Sequence, residues 1–256
     1  MKRNNSKKHT KNKEIQDIYG IHSVKAALAN PERRHLELIL IEKYTNIANK
    51  YSKKVPNIKI LKKNEISKFF NPYNVNQGIF LKSYSLEKKN FETFISEEAK
   101  LKKSIIVVLD QVTDPQNIGS IMRSCALLNC KAVITSKDNS PEITSSLIKS
   151  ASGAIEIVNY FKVVNLKRVL NKLKKEGYWI FAFDNSNNEN FIENNLSKKS
   201  VFVFGSEGGG IRPLIKKQCD EIISLKSKQN QKYNIESFNV SNAATIALYE
   251  YFKKFS

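Results

Sequence analysis

At 256 residues, 41% of them hydrophobic, the chain can bury one large core or two small ones, and no apolar run approaches the roughly 20 residues of a membrane-spanning helix. A formal net charge of +19 favours a polyanionic partner, although a solvated Lys-rich surface can account for such an excess without one. The three cysteines lack C-x-x-C spacing and the histidines are His9, His22 and His35, so beyond residue 104 Ser-His-Asp hydrolysis, H-E-x-x-H zinc chemistry and an ordinary His base are excluded.

Residues 1–14 read as a disordered basic tail. Residues 1–13 hold six Lys or Arg, no acid and no apolar run, which excludes a secretory signal and makes a cytoplasmic protein the simplest expectation. Val24, Ala27 and Leu28 then recur at helical spacing up to a break at Asn30-Pro31, and strand-like runs follow at 36–41, 55–61 and 77–81. This predicts a small α/β domain over 15–83. Residues 84–103, with scattered apolar positions among Glu and Lys, are expected to be a linker, part of it helical.

From residue 104 the pattern becomes regular α/β. The apolar run 105–109 predicts a strand buried on both faces. Asp114-Pro115 marks a helix start, and Ile118, Ile121, Met122, Cys125 and Leu128 form its core stripe, which makes Cys125 a buried thiol. Further strands are predicted at 132–135, 179–183 and 201–204, and helices at 166–175 (strongly basic), 211–219 and 240–252.

Three segments sit where a strand-like run gives way to a loop or helix start, the place where α/β proteins gather ligand groups. They are Asp110-Gln111-Val112-Thr113-Asp114-Pro115-Gln116-Asn117-Ile118-Gly119 continuing to Arg123, then Phe204-Gly205-Ser206-Glu207-Gly208-Gly209-Gly210, then Glu236-Ser237-Phe238-Asn239-Val240-Ser241. The glycine turn is neither G-x-G-x-x-G nor a P-loop, which disfavours a Rossmann dinucleotide site and nucleotide hydrolysis. It is either a tight turn needing positive φ or a ligand cradle. Glu207 is either an exposed turn carboxylate or a partner for a cation. Ser237 and Asn239 suit an N-cap as well as a ligand contact. Arg123 lies off the apolar stripe of its helix. Only six of the 43 basic residues are Arg, and where Lys is the default cation an Arg marks a site needing a planar fork of donors.

These motifs, in this order, resemble those of the SpoU-type RNA 2′-O-ribose methyltransferases of the knotted SPOUT class. The resemblance extends to Ile18-Tyr19-Gly20-Ile21-His22-Ser23-Val24 and Asn76-Gln77-Gly78-Ile79, which are similar to the RNA-binding domain of the 23S rRNA guanosine branch. It implies a small N-terminal α/β RNA-binding domain (15–83) and a trefoil-knotted α/β methyltransferase domain (104–256) with a mainly parallel sheet. It further implies S-adenosyl-L-methionine as cofactor, no metal, and a homodimer built through the knotted domains. By the same resemblance Gly205, Leu225 and Phe238 match cofactor-binding positions, and Asn117, Arg123, Glu207, Ser237 and Asn239 match catalytic ones. The matching Arg is the one assigned to activating the ribose hydroxyl. A guanidinium holds its proton up to a pKa above roughly 12, so Arg123 is expected to position a phosphate and stabilise the developing alkoxide. The proton would then leave to a phosphate oxygen, Glu207 or water.

The chain departs from the family between Leu225 and Phe238, where relatives have a shorter connection with a Pro-Met-x-Gly stretch. Lys226, Lys228 and Lys232 in the longer segment could add phosphate contacts. Asn242 also replaces a usually apolar residue. The expected substrate is large-subunit rRNA, with tRNA, or a non-catalytic RNA-binding or ribosome-assembly role on the same fold, as alternatives.

Overall fold

The computed structural model describes residues 14–66, 77–87, 89–138, 140–184, 196–225 and 237–256. The N-terminal part carries β1 (Ile15–Tyr19), α1 (Ile21–Ala29), β2 (His35–Ile41), α2 (Thr45–Tyr51), β3 (Asn57–Leu61) and β4 (Ile79–Tyr84). Its sheet has the order β1-β4-β2-β3, antiparallel except for the β2/β3 pair. Ile18, Leu38, Leu40, Ile79 and Leu81 pack in one cluster with Val24, Ala27 and Leu28 of α1 and Ile47 and Ala48 of α2.

The rest of the chain supplies α3 (Phe91–Glu98), β5 (Ser104–Asp110), α4 (Pro115–Leu127), β6 (Ala132–Ser136), α5 (Ser145–Ala151), β7 (Asn159–Val163) and α6 (Leu166–Lys175). It ends with β8 (Trp179–Phe183), β9 (Lys199–Gly205), α7 (Pro213–Lys216), β10 (Glu221–Ile223) and α8 (Val240–Phe255). Six strands form an all-parallel sheet in the order β10-β8-β9-β5-β6-β7. Side chains alternate across a strand, so Ile105, Val107 and Leu109 of β5 enter one core with α4, α5 and α8, while Ile106 and Val108 enter a second core with α3 and α6. Parallel strands covered on both faces need continuous apolar runs, and every residue of β5 is buried.

Helix starts follow local hydrogen bonding. Asp114 caps α4 by accepting from Gln116 N–H at 2.9 Å, Thr144 caps α5, Asn165 caps α6 and Asn90 caps α3. Such caps satisfy donors that have no partner inside the helix.

Several elements carry no clear signal in the sequence: β1, α2, α5, β7 and β10. Strands β7 and β10 are the two edges of the parallel sheet, and an edge strand buries too few side chains to show an apolar run; in β7 only Phe161 is buried. The helix expected over 211–219 is limited to Pro213–Lys216. Within 84–103, helix α3 buries Phe94 and Ile95 in the second core against Phe161 and Leu170. Among the described residues no helix is long and apolar enough to cross a membrane.

Candidate active site

In a parallel sheet ligands gather beyond the carboxyl ends of the strands, where the strand order reverses. Here the chain runs outward through β5, β6 and β7, returns to β8, and inserts β9 between β8 and β5. Asp110 therefore ends β5 directly beside Gly205, which ends β9. Both belong to the motifs singled out above.

A cavity of about 370 Å³ opens at this point, lined by residues that include Gly205, Glu207, Leu225, Ser237 and Phe238. Phe183 and Phe204 form part of its apolar wall, their rings stacked with centroids 4.6 Å apart. The glycine turn is closed by paired backbone bonds, Ser206 N–H to Gly210 O at 3.2 Å and Gly210 N–H to Ser206 O at 2.8 Å. A Cβ on Gly205 would lie 2.0 Å from the carbonyl carbon of Gly210, so no side chain fits. Gly210 needs its φ of +60°. Gly208 faces open space, so not every glycine of the run is required.

Glu207 is held by amides. Asn239 Oδ1 accepts from the backbone N–H of Ser241 at 2.9 Å, which caps α8. That backbone donor settles which end of the amide is oxygen. The Nδ2 of Asn239 therefore faces outward, donating to Asn117 Oδ1 at 3.0 Å and to Glu207 Oε1 at 2.5 Å. Asn117 Nδ2 in turn donates to Glu207 Oε1 at 3.3 Å. Three residues far apart in sequence, one from each motif, thus form a single network. Capping and site-building coincide in Asn239, whereas Ser237 lines the cavity wall.

Arg123 stands apart. It follows Asn117 by six residues on α4, roughly 9 Å along the axis and about 120° around it. Its side chain is exposed, does not line the cavity, and forms no hydrogen bond or ion pair with any described residue. Ser124, beside it, bonds Thr245 of α8 at 2.7 Å. The atypical segment 226–235 and Glu236 lie outside the described residues, as do the basic tail 1–13 and Asn76.

Sequence reading gave Asp110 no role of its own within its motif and missed Asp184 altogether. Asp110, fully buried, accepts from Arg212 backbone N–H and Nε, both at 2.9 Å, with Nη2 at 2.7 Å. This pair ties the segment after the glycine turn to the end of β5. Asp184, at the end of β8, lines the cavity and pairs with Lys216 at 2.6 Å. The available signal was an Asp closing an apolar run in both cases. The thiols take no part in such a site: burial holds Cys125 well above its usual range and pushes Cys219 up to about 12.

The donor set suits a cofactor that is part apolar and part cationic. A cavity of this size lies within the range of small-molecule sites, its aromatic and aliphatic wall can take a ring system, and two carboxylates reach it. The glycine cradle brings backbone close to any ligand.

A model of the SpoU rRNA Methylase family matches residues 104–249. The chain is 31% identical over 242 residues to the 23S rRNA (guanosine-2′-O-)-methyltransferase RlmB of Coxiella burnetii, covering 92% of this chain and 94% of that one. It is 28% identical to the protein of the same name from Haemophilus influenzae, covering 92% and 96%. Among solved structures, the AdoMet-bound rRNA methyltransferase from Sinorhizobium meliloti shares the fold with a TM-score of 0.75 at 16% identity, over 94% of this chain and 88% of that one. By motif order, sheet topology and sequence together, the chain belongs to the SpoU rRNA methylase family.

Proposed function

We propose that the chain transfers a methyl group from S-adenosyl-L-methionine to the ribose 2′-hydroxyl of a guanosine in 23S rRNA. The observation that carries this reading is that the second and third motifs line one cavity and the first is tied to them through the Asn117–Glu207–Asn239 network. The 23S guanosine substrate rests on the relatives bearing that name, whose similarity extends over the N-terminal sheet as well. In this reading residues 15–83 grip RNA, residues 104–256 carry out transfer through a trefoil-knotted chain, and the protein works in the cytoplasm.

Gly205, Leu225 and Phe238 would hold the cofactor, which supplies an electrophilic methyl group on a cationic sulfur. Glu207, fixed by neutral amide donors, keeps its negative charge available to that cation or to the departing proton. Arg123, outside the cavity of its own subunit, holds a phosphate of the target strand, and the bound RNA brings the developing alkoxide to it. Replacing it by Ala should lower kcat by about a hundredfold or more at saturating RNA; unchanged turnover would remove Arg123 from the mechanism.

A homodimer belongs to the same reading. Leu127 of α4 is 73% exposed, with Tyr249 and Phe252 of α8 at 52% and 37%, and the two helices meet at the Ser124–Thr245 bond. These positions follow Ser124 and Thr245 by one or two turns, forming an apolar stripe suited to a second copy. Tyr249→Glu should shift the sedimentation coefficient toward a monomer.

The deciding experiment is transfer of labelled methyl groups to purified rRNA and tRNA, followed by alkaline cleavage, which a 2′-O-methyl blocks. Resistant label in large-subunit rRNA is the expected result. Label in tRNA would change the substrate, and absence of cofactor binding would favour a non-catalytic RNA-binding role.

A further inference from the structure

The segment around Ile18–Val24 resembles part of an RNA grip, yet its Ile18, Ser23 and Val24 are buried against the rest of the protein, with His22 left exposed. Gln77 Oε1 accepts from Ile21 N–H at 3.1 Å, so the two N-terminal motifs hold each other. Ser23 donates its hydroxyl hydrogen to Ile148 O on α5 at 3.0 Å, in a buried bond. Val24, Ala27 and Leu28 share a continuous core with Ile148, Ala151, Ala154 and Ile155. Gly153, just past α5, has φ +94° and no room for a Cβ, which would sit 2.5 Å from the Cβ of Ala26.

Arg33 closes this joint. Its Nη2 lies 2.8 Å from Glu156 Oε1 and its Nε donates to Oε2 at 3.0 Å, while Nη1 donates to Gln16 Oε1 and Tyr84 O, both at 3.0 Å. Asn30 Nδ2 donates to the same carboxylate at 2.8 Å. The two charged side chains are 1% and 5% exposed. A planar guanidinium can make this fork and still reach two further acceptors; an ammonium cannot. Units within a chain that move freely usually meet through wet, polar surfaces. Here hinging would expose a shared apolar core and strand a buried charge.

The joint also leads toward the cavity. Helix α5 packs on α4 so closely that a Cβ on Gly119 would lie 2.6 Å from the Cβ of Ser150. Helix α4 carries Asn117, which bonds Glu207.

We infer that Arg33 and Glu156 are positioning residues, whose buried ion pair seats the N-terminal sheet on α5 as one rigid body with the methyl-transfer site. RNA gripped by the N-terminal part is then presented to the cavity at a fixed distance and angle. This rests on the proposed function for its RNA substrate, but the rigidity itself does not.

The test compares wild type with Glu156→Ala and Glu156→Gln, the second keeping shape and an acceptor for Asn30. Steady-state kinetics on an rRNA fragment should show the KM for RNA raised about tenfold or more in the Ala variant. The kcat at saturating RNA should stay within about twofold and cofactor affinity should be unchanged, with the Gln variant in between. Solution X-ray scattering should report a larger radius of gyration for the Ala variant. A KM at the wild-type value with an unchanged scattering profile overturns the inference, as does a loss confined to kcat. Should Glu156→Ala fail to fold, Asn30→Ala removes a single bond of the clamp and should move KM in the same direction by less; no movement overturns the inference. If wild type methylates no RNA, the functional reading fails and the scattering comparison still decides whether the joint is rigid.

Discussion

Asp110 and Glu207 are carboxylates from two motifs at the same strand ends, and they are treated in opposite ways. Asp110 is fully buried and receives a guanidinium fork and a backbone N–H from Arg212. Its charge is matched on the spot, so it binds the chain to itself. Glu207 is exposed and is met by side-chain amides of Asn117 and Asn239. Amides orient a carboxylate without cancelling its charge, which leaves it to act on a cation or a proton. A matched charge holds structure, and an oriented but uncancelled one is available for chemistry.

The sharpest way to break the comparison is to remove the turn between the two. Gly205→Ala forces a methyl into the backbone of Gly210 and should cost upward of about 3 kcal/mol. Calorimetry should then detect no cofactor binding; normal affinity would mean that the cradle is not built by this close approach. Glu207→Gln tests the available charge. It should lower kcat by about a hundredfold while leaving denaturant stability within about 0.5 kcal/mol of wild type. Asp110→Asn should do the reverse in kind, lowering stability by about 2 kcal/mol because Arg212 loses its counter-charge. That figure lies below the value for a wholly buried pair, since Arg212 is 42% exposed.

His35 supplies an intermediate case, a buried group only partly matched. Its Nε2 has no partner among the described residues, and burial, then Arg33 and Lys54, lower its pKa from 6.5 to about 4. The unfolded chain therefore takes up a proton near pH 6.5 that the folded protein refuses until about 4. Its contribution should be full above 6.5 and decline as pH falls to about 4. Unfolding measured across that range should show the slope in wild type and lose it in His35→Gln. An equal slope in both would assign the acid sensitivity elsewhere.

Much of the parallel sheet could be read from the chain, and the reason is burial. Strands β5, β8 and β9 are covered on both faces and appear as unbroken apolar runs. The edges β7 and β10 do not, because a strand with a neighbour on one side only leaves most of its side chains half-buried even where they reach a core. Helix α3 was equally faint, since only Phe94, Ile95 and Glu98 of its eight residues are buried.

At the site, motif order and the family resemblance it carries singled out Asn117, Glu207, Asn239 and the cavity residues Gly205, Leu225, Ser237 and Phe238. That the three side chains share hydrogen bonds depends on strand order, which places the ends of β9 and β5 side by side and brings the start of α8 to meet them. The pairing of Asp110 with Arg212, over a hundred residues apart, and that of Arg33 with Glu156 have the same origin. Local sequence determined strands, caps and tight turns here, because their energetics act within a few residues. Which distant charge meets which was decided only by packing, since an ion pair needs both partners brought within a few ångströms and shielded from water.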